Sequence, residues 1–278
     1  MSIKNEEKNK NKEVPSYIIS SVDRAIHLLL TLAENPNCGV TELAKATQNT
    51  KSLTFRLLHT LECRGLVRKN PGQRTYTLGY GALLLGDVSR RQSQLTTTAE
   101  PILADLSNTT RENALLMVRE DLHSICIAMH ASPEPLRIFA SVGRLVPLHV
   151  GGGPKVMLAY APQDIQQKVT SGSLETFTKM SISEAAALEA SLDEIRAKGY
   201  SLSIGELDPN IFSIAAPVRD YTETVIAALS INGPTARLTD TTLIDFRAEV
   251  LSSADRLSQK LGWKQPIGDA SNMITPSV

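Results

Sequence analysis

The first strong periodicity in the chain starts near Ser20, where Val22, Ile26, Leu29, Leu30 and Ala33 recur at spacings of three and four. That spacing lays them along one stripe of an α-helix. Ser20 or Ser21 offers an N-cap, Asp23 suits the positive end of the helix, and Pro36 closes the segment. A shorter helical pattern follows, with Thr41 as cap, Glu42 in the first turn, and Leu43, Ala44 and Ala46 as small apolar contacts. Thr47, Gln48, Asn49 and Thr50 make a polar break of turn length. A third helix is expected over about 51–63, with Leu57, Leu58 and Leu61 inward and Gly65 as its stop. Two helices joined by so short a turn make a helix-turn-helix, here over about 41–62.

The pattern then changes period. Residues 66–69 and 74–78 are strand-like and flank an Asn70-Pro71-Gly72 turn, which reads as a hairpin. Leu83, Leu84, Leu85 and Val88 suggest a connecting helix that breaks in the polar stretch 92–98. A helix over about 98–110 carries Ile102, Leu103 and Leu106 on one face. Such helices either form a dimer seam or pack on their own domain. Apolar runs at 114–118 and 124–129, split by Arg119, Glu120 and Asp121, predict a second hairpin, and 136–142 a further strand. Helices are expected at about 155–160, 162–171 and 183–198, the last capped by Ser181 or Ser183. Strands follow at 200–204, 211–218 and 225–231, and a final helix at about 240–261, capped by Thr239 or Asp240. Grouped strands with helices between them indicate an α+β body with a mostly antiparallel sheet.

Composition sharpens this picture where it is uneven. The formal net charge of the 278 residues is zero. Residues 1–90 nevertheless hold 13 Lys and Arg against 8 Asp and Glu, whereas the remainder holds 16 against 21. A basic third on an acidic body suggests two jobs. Arg68, Lys69 and Arg74 cluster at the first hairpin, so helix-turn-helix and hairpin together read as a winged helix. The second helix of such a motif enters the major groove of DNA. Candidate contacts there are Thr50, Lys51, Ser52, Thr54, Phe55 and Arg56, with Arg68, Lys69 and Arg74 on the wing touching phosphate or the minor groove. Leu53 and Phe55 face either DNA or the core. The alternative is a small-molecule sensor or metabolic enzyme whose basic head does not bind DNA. A salt titration of duplex binding separates the two.

Other chemistry is sparse. No apolar run nears the roughly 18 residues of a membrane span, and the polar N-terminus lacks an apolar signal core. Cys38, Cys63 and Cys126 are widely spaced with no CxxC pair, which points to a reducing cytoplasm rather than a disulfide framework. GxSxG, HExxH and dinucleotide motifs are missing, so no enzyme, cofactor or metal site is expected. Cys126 in a strand reads as a buried apolar residue. The turn His149-Val150-Gly151-Gly152-Gly153-Pro154-Lys155 stands out, because its glycines admit a close ligand and the following helix presents free N–H groups to an anion.

Spaced motifs then agree in order with one family. Ser21-Val22-Asp23-Arg24-Ala25, Lys51-Ser52 with Arg56-Leu57-Leu58, and Tyr76-Thr77-Leu78-Gly79 resemble the winged helix of IclR-type bacterial transcriptional regulators. Val142-Gly143, Pro147-Leu148-His149, Lys155, Lys198-Gly199-Tyr200, Glu206, residues 214–220 and residues 231–234 are similar to the body of that family. The resemblance spans about residues 20–263. It implies a GAF-like effector domain that holds a small organic or aromatic acid from a catabolic pathway. It also implies a homodimer or homotetramer, with paired winged helices on a pseudo-palindromic DNA operator and no membrane partner. Positions that resemble effector contacts are Gly152, Gly153, Ser203, Ser213, Ser230 and Asn232. Where the family has Gly just before its Lys, this chain has Pro154, which removes one N–H donor. The expected organisation is a disordered polar tail over 1–19, a winged helix over 20–80, a linker helix over 81–95, an effector domain over 96–265 and a flexible tail over 266–278.

Overall fold

The computed structural model describes residues 17–136, 138 and 140–264; most of both expected tails lies outside the described residues. The chain forms two compact units that divide between Ser89 and Arg90.

The first unit packs α1 (Ser20–Glu34), α2 (Val40–Ala46) and α3 (Lys51–Cys63) with a small antiparallel sheet. Its strands β1 (Cys38–Gly39), β2 (Val67–Lys69) and β3 (Thr75–Leu78) lie in the order β1-β3-β2. Leu28, Leu32, Leu43, Leu58, Leu61, Val67 and Tyr76 form its core. The expected α1 stripe is corrected: Leu28 and Leu32 are buried, and Val22, Ile26 and Leu30 are more than half exposed. The helix carries two apolar arcs, and only one meets the core of its own unit. Ile19, not a serine, is the N-cap of α1, and Gly39, not Thr41, that of α2, where Gly39 N–H donates to Glu42 Oε2 at 2.7 Å. Asn70-Pro71-Gly72 turns the chain between β2 and β3, with Gly72 at φ +81°.

Helix α4 (Tyr80–Gln92) contains the division between the units. The expected break at 92–98 shrinks to Ser93, whose Oγ accepts from Thr96 N–H at 3.2 Å and caps α5 (Gln94–Thr110). The polar Gln94–Thr97 run is helical because that cap satisfies its first turn.

In the second unit β4 (Asn113–Glu120), β5 (His123–His130), β6 (Leu145–Pro147), β7 (Ser201–Ile204), β8 (Ile211–Arg219) and β9 (Val225–Pro234) build one antiparallel sheet, ordered β6-β5-β4-β9-β8-β7. Alternation along β8 assigns its two faces. Phe212, Ile214, Ala216 and Val218 join the cluster with α5 and α9 (Asp240–Lys260). Ala215 joins the other, with α6 (Gly152–Ala159), α7 (Gln163–Thr170) and α8 (Ala185–Lys198). The strand expected at 136–142 is a correction. Its described residues are irregular, and β6, lying just beyond them, pairs with β5 instead. Arg137 and Phe139 lie outside the described residues. Asn113 Nδ2 donates to Ile138 O at 2.9 Å, a side-chain bond that stands in for a ladder. Helix α8 is capped at Glu184 without a side-chain bond, because Ser181 Oγ serves the preceding loop, accepting from Phe177 and Thr178 N–H. Thr239 caps α9 as expected.

Candidate functional site

Thr50 starts α3: its Oγ1 accepts from Leu53 N–H at 3.2 Å. Its hydroxyl thus holds the first helical turn. Lys51, Ser52, Phe55 and Arg56 are exposed on the helix that follows. Phe55 lies nearly parallel to His59, with ring centroids 6.5 Å apart. Thr54 is a correction: it is fully buried, and its Oγ1 donates to Thr50 O at 3.0 Å. The leucine face of α3 is wider than Leu57, Leu58 and Leu61 alone suggest, and Thr54 sits one turn before Leu58 on it. Leu53 is half-buried, whereas Phe55 is 53% exposed, so Phe55 is the apolar group presented outward.

On the hairpin Arg68, Lys69 and Arg74 are all exposed. Arg74 takes φ +53° at the turn, and the Arg68 guanidinium lies 5.7 Å over the Tyr80 ring. Among the described residues, the side-chain charges of Lys51, Arg56, Lys69 and Arg74 have no ion-pair partner. The unit therefore presents uncompensated cations on a helix and a hairpin, the chemistry that binds phosphate.

The second unit holds a concavity against the face of the sheet that carries α6, about 680 Å³ of non-atom space with its mouth included. Gly152, Gly153, Ser203, Ser213 and Asn232 all line it. Ser230 does not: it is fully buried, and its Oγ has no hydrogen-bond partner among the described residues. Sequence reasoning missed the apolar wall of Leu115, Met117, Ile138, Val146, Leu207 and Ile211. Leu115 and Met117 follow from strand register, since they pair with Ser230 and Ala228, and periodicity along one strand carries no register.

Geometry explains the glycines. A Cβ on Gly152 would stand 2.7 Å from Ser213 Oγ, and one on Gly153 2.6 Å from Met117 Sδ. The N-terminal turn of α6 thus rests directly on the sheet. The N–H groups of Gly152 and Gly153 precede the first intrahelical bond, Lys155 N–H to Gly151 O, and Pro154 has none to give. Lys155 is itself buried and bonded to Glu206 Oε1, so its charge stays out of the cavity. Ser213 Oγ donates to Asn232 Oδ1 at 2.9 Å, which orients the Asn232 amide N–H₂ as a donor. Ser203 is 4% exposed, and its hydroxyl makes no side-chain hydrogen bond among the described residues. The floor thus combines donors with apolar walls, a setting that suits a carboxylate on a small apolar body. Cys126 lines the same space, and burial pushes its thiol up to about 11, so it stays protonated near neutrality.

The sequence matches the family descriptions "IclR helix-turn-helix domain" over residues 21–71 and "Bacterial transcriptional regulator IclR C-terminal" over residues 89–259. It is 31% identical to the HTH-type transcriptional regulator BhcR of Paracoccus denitrificans, over 90% of each chain. Among solved structures it is similar to an IclR transcriptional regulator from Alicyclobacillus acidocaldarius, with TM-score 0.81 and 28% identity over 87% of this chain and 99% of that one. An IclR homolog of Microbacterium hydrocarbonoxydans, solved with 4-hydroxybenzoate, has the same fold at TM-score 0.74 and 20% identity, over 86% of this chain and 99% of that one.

Proposed function

Given that the chain belongs to the IclR family of bacterial transcriptional regulators, we propose that it controls a catabolic operon in response to a small organic or aromatic acid. No helix among the described residues is long and apolar enough to cross a membrane. As a bacterial transcriptional regulator the protein acts on DNA in the cytoplasm. The protein is a regulator and not an enzyme. Its DNA contacts are Lys51, Ser52, Phe55 and Arg56 on α3 and Arg68, Lys69 and Arg74 on the wing, with Thr50 fixing the start of the helix. Two chains place paired winged helices on a pseudo-palindromic operator, as a homodimer or within a homotetramer.

The observation that carries the effector reading is the donor-lined floor beside α6. An acid places its carboxylate against the Gly152 and Gly153 N–H groups, with the Ser203 hydroxyl and the Asn232 amide as further donors and Ser213 holding that amide in place. The 4-hydroxybenzoate of the Microbacterium neighbour is an acid of this kind, with a flat apolar body and a second polar end. Such an effector acts by differential affinity: it favours one dimer arrangement and so changes the affinity for DNA.

Thermal melting of the protein with a panel of small aromatic and aliphatic acids tests this reading. A saturable rise in Tm for one acid, with a matching change in the protein's affinity for its own upstream DNA, supports it. Flat melting curves across the panel, or DNA affinity that does not fall with salt, overturn it.

A further inference from the structure

The second unit holds another cavity, about 700 Å³ of non-atom space with its mouth included, formed by the C-terminal end of α8, β8, α9 and Trp263. Its charges are unequally satisfied. Arg196 is bonded to Asp193 at 2.6 Å and Lys198 to Glu194, so both are neutralised locally. The Arg219 guanidinium donates only through Nη1, to Glu223 O, and lies 5.0 Å over the Tyr160 ring, while the backbone N–H of Arg219 donates to Ser258 Oγ at 2.9 Å. Its Nε and Nη2 have no partner among the described residues. Asp255, half-buried on α9, has neither a hydrogen bond nor an ion pair there. Burial raises its carboxyl above the usual range while the Arg219 charge acts the other way, so the two feel each other without forming a salt bridge. One free charge of each sign therefore faces a space walled by Pro217, Leu251, Tyr160 and Trp263.

We propose that this cavity is a second ligand site that takes an α-amino acid with an apolar side chain. The amino-acid carboxylate meets Arg219, its ammonium meets Asp255, and its side chain lies against Pro217, Leu251 and the aromatic rings. A ligand with only one charge leaves the other half-buried group unpaired, which is costly. The zwitterion satisfies both. Helix α6 joins the two cavities: Gly152 at its start lines the first, and Tyr160, immediately after its end, lines the second. Strand β8 does the same through Ser213 and Arg219. A ligand in one cavity is thus placed to alter affinity in the other, and such coupling is reciprocal.

Trp263 is the single tryptophan of the chain and lines this cavity, so its emission reports on it. The full-length protein is titrated with L-leucine, L-isoleucine, L-methionine and L-phenylalanine. The expected result is a saturable emission change with at least one of them. Its affinity falls at least ~10-fold, or ~1.4 kcal/mol, in Asp255→Asn and in Arg219→Gln. Isocaproate and isoamylamine, which keep the leucine skeleton but lack one charge each, do not reproduce the response. The proposal is overturned by no saturable change with all four amino acids, by an equal response to isocaproate, or by unchanged affinity in whichever of the two charge variants melts like the parent.

Discussion

Lys155 Nζ lies 2.5 Å from Glu206 Oε1 in an ion pair almost wholly removed from water. The second carboxylate oxygen of Glu206 accepts the Gly151 N–H at 2.9 Å, and its backbone carbonyl accepts from Ser181 Oγ at 2.7 Å. One residue thereby ties the start of α6 to the loop after β7 and to the segment before α8. The family-like Lys155 is a structural clamp here, and the charged residues that do line the cavity are Arg144 and Asp208.

Breaking that clamp from one side strands a buried charge. Glu206→Gln and Lys155→Met are each expected to destabilise the protein by about 3–5 kcal/mol, and the Lys155→Met/Glu206→Leu double variant by less than their sum. Urea denaturation of the three variants checks both statements.

The two glycines at the start of α6 differ in what a side chain would meet. In Gly152→Ala the new carbon meets Ser213 Oγ and, at 3.0 Å, the Ser213 backbone carbonyl, so α6 has to lift. The expected cost is about 1–3 kcal/mol, with weakened effector binding. Gly153→Ala meets mainly the movable Met117 thioether and should cost less. Melting with and without the effector acid ranks the two.

On the DNA face the residues separate by role. Arg56→Ala should weaken operator binding by about 1–3 kcal/mol and relax preference at one base. Lys69→Ala should weaken binding to every duplex alike and lower the salt slope by about one. Gel shifts on the upstream DNA and on an unrelated duplex, each at several salt concentrations, resolve the pattern.

Thr54→Val tests the buried placement of that residue. It removes the bond to Thr50 O and keeps the shape, so stability should fall by about 1 kcal/mol while operator affinity stays unchanged. A selective loss of DNA affinity would return Thr54 to the contact surface.

The cysteines give a pH-dependent outcome. The Cys126 thiol is raised from 9.0 to about 11, first by burial, with a backbone hydrogen bond of Ala128 acting in the opposite direction. Below pH 9 both folded and unfolded chains keep this proton, and its contribution is fully present. As pH rises from 9 to about 11 the unfolded chain loses the proton first, so stability falls. A Cys126→Ala variant should show a shallower decline over that window. At pH 8 a thiol reagent should modify the exposed Cys63 and spare Cys126 until the chain unfolds.

Much of this architecture is readable from local pattern. The α3 boundaries, the wing turn, the β4–β5 hairpin and the antiparallel body follow from periodicity, caps and turn residues. Errors arise where several interactions compete for one segment. Val22, Ile26 and Leu30 look like core because periodicity identifies an apolar arc without saying whether it meets the same unit. Residues 136–142 look like a strand, but pairing goes to Leu145–Pro147. In the site, the polar positions on β7, β8 and β9 are recoverable through resemblance. Ser230 is misplaced because its two-residue spacing from Asn232 fixes a face and not a depth. The apolar wall from β4 depends on register between strands far apart in sequence.

Met117 rests where Gly153 has no side chain, so an unbranched thioether forms the part of the cavity wall nearest the helix. That wall deforms without repacking the sheet behind it. Ser203, Ser213 and Asn232 line the same cavity at positions apart from the Met117–Gly153 seam, so its polar lining and its yielding wall are set by different residues.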